Sequence, residues 1–279
     1  MKVSVIIPVY NEEDVIKDCL ESLFEQSVED FEVIIVDDGS TDKTLNIVKT
    51  INPKRIKLSI YKQNHQGTGA ARNLGAKHSE GEILVFVDSD MTFDKYFLEK
   101  LIRPIIEGKS KGTFSKEEYV SNWDNVWARC WNINEGWEEK KRHSKNYPDT
   151  QPVFRAILKS EFNKVNGFTP GGYNDDWSLS QKLKYPATLA PKAIFYHKNP
   201  SFLKEIFFQA KWIGKREYKF GFIGKIISLL RASFPVSIII GFYKLFLSGE
   251  VGFPVFKLVY DFGIFNGILE MSLKGVKTK

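Results

Sequence analysis

Cysteine is scarce in this 279-residue chain: Cys19 and Cys130 are its only two. Two isolated cysteines exclude a disulfide framework and a CxxC metal pair, and they suit a reducing compartment. Long apolar runs are missing as well. The longest uncharged stretch, Ala232–Tyr243, has 12 residues, whereas a spanning helix needs about 18 or more apolar ones. Internal repeats and low-complexity tracts are absent. The N-terminal "MKVSVIIPVYNEED" has an apolar run too short for a secretory signal and turns acidic at once, so it is expected to be the first strand of a folded domain. Hydrophobic content of 43% against 27% charged residues is ordinary for a globular chain and allows a sizeable core.

Charge is unevenly spread. Residues 198–279 hold 13 Lys and Arg against 5 Asp and Glu, a balance of +8, while the other 197 residues balance at −2. The basic part is also rich in Phe, Ile and Leu. Basic and apolar together point to an anionic membrane surface rather than to nucleic acid, which would want a basic groove with stacking residues. A solvated basic face over a plain helical core is the other reading. Helices lying in the membrane plane are expected first, buried or dimer-forming helices second and a true span third.

The first hundred residues alternate between strand and helix patterns. "VSVIIPV", "FEVIIVDDG", "RIKLSIYK" and "GEILVFVD" read as strands. "DVIKDCLESLFEQ" places Val15, Ile16, Cys19, Leu20, Leu23 and Phe24 on one helical face, with Asn11 as its expected cap. "STDKTLNIVKTI", capped by Ser40 or Thr41, and "GTGAARNLGAKHS" are two further helices. Such βαβα order with near-continuous apolar strands predicts an α/β fold: a Rossmann-like, mostly parallel sheet covered on both faces, with ligands beyond the carboxyl ends of its strands. Pro8–Asn11, Asp37 with Asp38, and Asp88-Ser89-Asp90 end three of those strands. Carboxylates gathered on one rim repel one another unless a cation joins them, and Mg²⁺ or Mn²⁺ suits hard oxygen ligands. In "NHQGTGAARNLG", Gly67 and Gly69 permit close backbone approach and Arg72 sits on the first turns of a helix, a combination able to receive phosphate. A turning loop with Arg72 as a surface charge is the bland alternative.

Further along, Trp123, Trp127 and Trp131 are spaced by four, and Trp137 follows. One helical stripe of this kind signals core packing, or else stacking on a sugar or contact with an acceptor or lipid. Three parts are expected: residues 1–105, residues 106–200 and the basic amphipathic helices of 201–279.

The segments "VSVIIPVYNEEDVIKDCLESLFEQSVEDFEVIIVDDGSTDKT" and "GTGAARNLGAKHSEGEILVFVDSD" resemble, in order, the nucleotide-sugar domain of glycosyltransferase family 2. "FRAILKSEFNKVNGF" and "GGYNDDWSLSQKL" extend the resemblance to about residue 215. It implies a GT-A fold, with 1–105 as the nucleotide-sugar-binding part and 106–200 as the acceptor-binding part, and an inverting transferase that moves a sugar from a UDP- or GDP-sugar to an acceptor hydroxyl or phosphate with a divalent metal. Carried over, Pro8 and Tyr10 hold the nucleobase, Glu12 lies near the nucleoside, Asp38 accepts a base N–H with Asp37 behind it, Arg72 faces the diphosphate, and Gly67 and Ser89 belong to the same nucleotide-sugar site. Asp88 touches ribose or metal, Asp90 ligates the metal, and His197 falls where many members carry a metal- or phosphate-binding histidine. Asp176 takes the place of the base and Asp175 that of the preceding glutamate; the family usually has Glu-Asp here. Trp123, Trp127, Trp177 and Trp212 are candidates for an acceptor site. "QAKWIGK" departs in spacing from the Gln-x-x-Arg-Trp signature of processive members, so no polymerase is implied.

The reading that results is a metal-dependent transferase at the cytoplasmic face of the cell membrane, using a lipid-linked acceptor. Its rivals are the same chemistry on a soluble saccharide, a sugar nucleotidyltransferase and a non-catalytic nucleotide-sugar-binding module. The second would want a glycine-rich basic loop after the first strand, where "PVYNEED" is acidic and glycine-free.

Overall fold

The computed structural model describes residues 1–170, 175–216 and 218–274. It divides into two compact units, Met1–Tyr119 with Asn146–His197, and Val120–Lys145 with the chain from Lys198 onward. The region expected as an acceptor-binding part is thus shared between the two.

The first unit opens as its alternation predicts: β1 (Val3–Val9), α1 (Ile16–Phe24), β2 (Phe31–Asp37), α2 (Thr44–Thr50), β3 (Lys57–Lys62), α3 (Thr68–His78) and β4 (Ile83–Phe86). Every residue of β1, β2 and β4 is buried, which is why these strands carry no polar alternation. β5 (Met91–Phe93), α4 (Phe97–Ile106), β6 (Gly112–Phe114) and β7 (Glu118–Val120) follow. After α5 (Val126–Glu135), which belongs to the second unit, come β8 (Thr150–Gln151), β9 (Ala156–Leu158), α6 (Lys159–Lys164), α7 (Asp175–Leu183), β10 (Ala187–Leu189) and β11 (Phe195–His197). The main sheet runs β3-β2-β1-β4-β9-β6-β10-β8, and β5-β11-β7 form a second sheet. β3, β2, β1 and β4 are parallel, while β9 is antiparallel to both β4 and β6. The strand order turns back between β1 and β4, so a crevice is expected beyond their carboxyl ends.

Side-chain alternation splits the core in two. Val3, Val5, Ile7, Val33, Ile35 and Val85 face α1 and α4, and pack with Cys19, Leu20, Leu23, Leu98 and Leu101. Ile6, Ile34, Val36, Leu84 and Phe86 face the other side, against Ala71, Phe114, Phe154, Phe162 and Phe168. α1 buries Ile16, Cys19, Leu20, Leu23 and Phe24 as its periodicity requires. Its expected cap does something else: Asn11 has φ 56 and its side-chain oxygen accepts the Thr41 N–H at 2.8 Å, tying the β1 and β2 loops together. Neither Ser40 nor Thr41 caps α2; the Asp42 carboxylate accepts the Thr44 N–H instead, at 2.9 Å.

The second unit is helical. α5 is capped by Asn125, whose Oδ1 accepts the Trp127 and Ala128 N–H groups, and ends at Gly136 in the left-handed region. α8 (Leu203–Gly214), α9 (Gly221–Arg231), α10 (Phe234–Ser248) and α11 (Phe253–Lys274) complete it. α8 and α11 touch backbone to backbone: a Cβ on Gly267 would lie 2.1 Å from the Lys211 carbonyl oxygen. Trp131 is buried edge-on to Phe256 and Tyr260, with Trp127 and Trp137 packed around the same core. For these three tryptophans the core-packing reading of the stripe holds.

Candidate active site

Three parallel strands deliver acids to one rim, and two antiparallel pairings deliver their partners. β9 hydrogen-bonds to the end of β4 through the Phe86 N–H and the Arg155 carbonyl, 2.8 Å apart, so Arg155 lies beside Asp88. β11 pairs with β5 in a register that sets His197 opposite Met91, next to Asp90.

Asp88 is gripped on both oxygens. Oδ1 accepts from Arg72 Nη2 at 2.7 Å and Oδ2 from Arg155 Nη1 at 3.0 Å. Burial works to raise its pKa, but the Arg155 and Arg72 guanidiniums outweigh it and hold the carboxyl well below the usual range. Arg72 is only 3% exposed. Its Nη1 donates to Asp176 Oδ1, and its guanidinium lies over the Phe168 ring. The carry-over set Arg72 against a diphosphate; here both its Nη groups are engaged by acids, and it ties the β4 rim to the first turn of α7. Asp175, the other acid of that turn, accepts the Gly69 N–H at 3.2 Å, at the start of α3. The loop 171–174 that precedes this acidic pair lies outside the described residues.

Asp90 and His197 form a second group. His197 Nε2 is 2.7 Å from Asp90 Oδ2 and its Nδ1 is 2.9 Å from Glu118 Oε1. A carboxylate on the far ring nitrogen fixes the tautomer and orientation of an imidazole, the usual support of a metal-binding histidine. Nearby, Glu12 is pushed up to about 7, first by burial, then by the Asp90 charge, with a Ser89 hydrogen bond opposing and Asp88 adding to the rise. Carboxylates crowded enough to raise a neighbour's pKa favour a cation. Among the described residues no three His, Cys, Asp or Glu side chains converge as a ready cation site. Asp90 and His197 would therefore supply two ligands, which suits an ion that takes its others from phosphate and water.

The remaining residues shape a shelf beside this group. Asp38 is buried, and its carboxylate accepts the Gln66 and Gly67 N–H groups at 2.8 and 2.9 Å and the Gln63 side-chain amide at 2.7 Å. The oxygens expected to meet a nucleobase are thus committed to the loop entering α3. Asp37 Oδ1 accepts the Ser40 N–H at 2.9 Å. Gly67, at φ 91, turns that loop into α3, a conformation costly for any other residue. The Tyr10 ring is stacked on His65 with centroids 4.1 Å apart, and both residues are exposed. Pro8 is buried within β1, and Ser89 is buried between Asp88 and Asp90. Trp177 is exposed on α7. Trp123, Trp127 and Trp212 belong to the second unit.

Sequence reasoning missed Arg155, Glu118 and His65. Arg155 had a readable signal, a lone charge in the apolar "PVFRAIL". Glu118 had none.

A family model described as glycosyl transferase family 2 matches residues 4–165, more than half of the chain. The chain belongs to that family. Its curated relatives include a poly(ribitol-phosphate) beta-glucosyltransferase of Bacillus spizizenii, 46% identical over 94 residues (32% of this chain, 15% of the relative). The poly(ribitol-phosphate) beta-N-acetylglucosaminyltransferase TarS of Staphylococcus aureus is 46% identical over 102 residues (36% and 18%). The chain thus spans only a small part of these relatives' lengths. Among solved structures, residues 1–349 of S. aureus TarS with UDP-GlcNAc give a TM-score of 0.56 at 20% identity, covering 99% of this chain and 92% of that one. The mannosyltransferase PcManGT of Pyrobaculum calidifontis, with GDP-Man and Mn²⁺, gives 0.59 at 17% identity, covering 99% and 88%. The fold is GT-A.

Proposed function

We propose that the chain is an inverting glycosyltransferase that moves a sugar from a UDP- or GDP-sugar to an acceptor hydroxyl or phosphate by a single displacement. The observation that carries this is the pairing of two devices on one rim: the Asp90–His197–Glu118 chain, and Asp176 held by the same arginine that holds Asp88. Donor complexes of two neighbours of the same fold, one with UDP-GlcNAc and one with GDP-Man and Mn²⁺, support the class of donor.

The exposed, stacked Tyr10–His65 pair receives the nucleobase, and the loop built on Asp38 and Gly67 carries the nucleoside to the α3 terminus. Asp90 and His197 would hold Mg²⁺ or Mn²⁺, whose charge, when bound, offsets that on the departing diphosphate. Asp176 is the general base: its half-exposed carboxylate accepts the acceptor proton as the oxygen attacks the anomeric carbon from the face opposite the nucleotide. Arg72 and Arg155 are positioning residues. Held by both, Asp88 is a spacer between guanidiniums more than a metal ligand. The acceptor is lipid-linked and the protein sits at the cytoplasmic face of a membrane, a reading supported by the basic, apolar helices of the second unit.

The test is release of nucleoside diphosphate from UDP-Glc, UDP-GlcNAc and GDP-Man with Mn²⁺, with and without a bacterial lipid extract. The expected result is release from one donor, stimulated by the extract and lost in Asp176→Asn. Equal release by Asp176→Asn would overturn the base assignment, and stimulation by a water-soluble glycan fraction alone would overturn the lipid-linked acceptor.

A further inference from the structure

In the second unit, the helix pair α9–α10 is built inside out. A surface helix in water buries its large apolar residues and exposes its polar ones. α10 buries Ser237 and Gly241. Ser237 Oγ donates to Asp261 Oδ2 on α11 at 2.7 Å, and Lys257 holds the other oxygen at 2.8 Å. A Cβ on Gly241 would lie 2.9 Å from Pro254. The polar and small stripe therefore faces α11, and the bulky residues face out: Phe234, Ile239, Phe242, Tyr243, Phe246 and Leu247 are all exposed, Phe246 at 87%. α9 continues the pattern. Gly224 is its one buried residue, while Phe222, Ile223, Ile226, Ile227 and Leu230 are exposed. Scattered exposed apolar residues are normal on a protein, but a contiguous band of aromatic and branched side chains marks a contact surface.

Length and charge select the partner. No single described helix is long and apolar enough to cross a membrane; α9 and α10 reach that length and composition only together, across a 62° bend. At 1.5 Å per residue the 15 residues of α10 reach about 22 Å, short of a hydrocarbon core of about 30 Å. Residues 218–249 contain Lys219, Lys225, Arg231 and Lys244 and no acid. A second copy seated on this face would set like charges together, whereas an anionic bilayer supplies both the apolar and the charged complement. By contrast α8 and α11, closed on each other at Gly214, Gly263 and Gly267 and linked by Lys211–Glu270 at 2.8 Å, form the base from which the elbow projects.

We infer that the outer face of the α9–α10 elbow is the seat of an anionic bilayer surface, entered in its plane to the depth of the Phe222, Phe242 and Phe246 rings. The inference rests on the membrane reading given above and names its contact surface; it does not depend on turnover. The test is co-sedimentation of the full chain with vesicles of phosphatidylcholine alone and of phosphatidylcholine with phosphatidylglycerol, alongside titration of nucleotide into the same preparations. The chain is expected to sediment with the anionic vesicles. Phe242→Glu with Phe246→Glu should weaken this by at least about tenfold, and Lys225→Glu with Arg231→Glu and Lys244→Glu should abolish the preference for anionic lipid. Both variants should keep nucleotide affinity. A wild-type chain that stays in solution with every vesicle overturns the inference, as does a Phe242→Glu/Phe246→Glu variant that sediments like wild type. So does a dimer that this variant dissolves without any vesicle binding. Vesicle binding by a chain with no transferase activity would leave the inference standing and remove the enzymatic reading alone.

Discussion

The two units break the rule of apolar inside and polar outside in opposite directions. The first draws charge inward: Arg72 is almost wholly buried, Asp88 sits between two guanidiniums, and Glu12 is forced toward neutrality. The second pushes apolar mass outward, with Phe246 and its neighbours in water while Ser237 and Asp261 lie inside. Each exception is costly in an isolated chain. Buried charge of this kind suits a charged ligand met without reorganisation, and bared apolar surface of this kind suits a covering partner. The contrast makes the rest of the first unit informative as well: its β1–β2–β4 core obeys the rule and serves as scaffold.

This contrast can be broken at several points. The largest effect is expected from Asp176→Asn, which should lower kcat by about 10³-fold with unchanged nucleotide affinity; single-turnover kinetics separate the two. Next is Arg155→Ala. It leaves Asp88 with one guanidinium in a half-buried site and should cost about 3 kcal/mol in urea unfolding. Glu12 gives a smaller and pH-dependent signal. Its folded pKa of about 7 lies above the ordinary glutamate value. The folded state therefore binds the extra proton, and stability falls as pH rises from about 4.5 to about 7. The loss should be about 2 kcal/mol, below the full shift because the site is partly solvated, and Glu12→Gln should flatten it. The smallest effect is that of Glu118→Gln, which weakens the hold on the His197 ring and should reduce Mn²⁺ affinity by about tenfold without changing the unfolding midpoint.

Much of the first unit was legible because its contacts are periodic. The apolar strands, the α1 face and the placement of Asp88 and Asp90 after β4 all follow from spacing along the chain. The parts that were not legible arise from pairing between distant segments. Arg155 reaches Asp88 because β9 inserts antiparallel between β4 and β6, and Glu118 reaches His197 because β7 and β11 share a sheet with β5. The lone charge in "PVFRAIL" marks Arg155 without naming its partner, and no local pattern announces Glu118. The second unit taught a different lesson. Its composition pointed to a membrane surface, yet composition does not say which face of a helix is which. Only the packing of Ser237 and Gly241 against α11 assigned the large residues of α10 to the outside.

The most direct measurement is calorimetric titration of UDP, GDP and their sugars into the wild-type chain and into Asp90→Ala, with and without Mn²⁺. Binding of one nucleotide that depends on Mn²⁺ and is lost in Asp90→Ala is the predicted result. A folded wild-type chain that binds none of them, or binds one equally well without Mn²⁺ and without Asp90, would contradict the account of the rim as a cation-assisted nucleotide-sugar site.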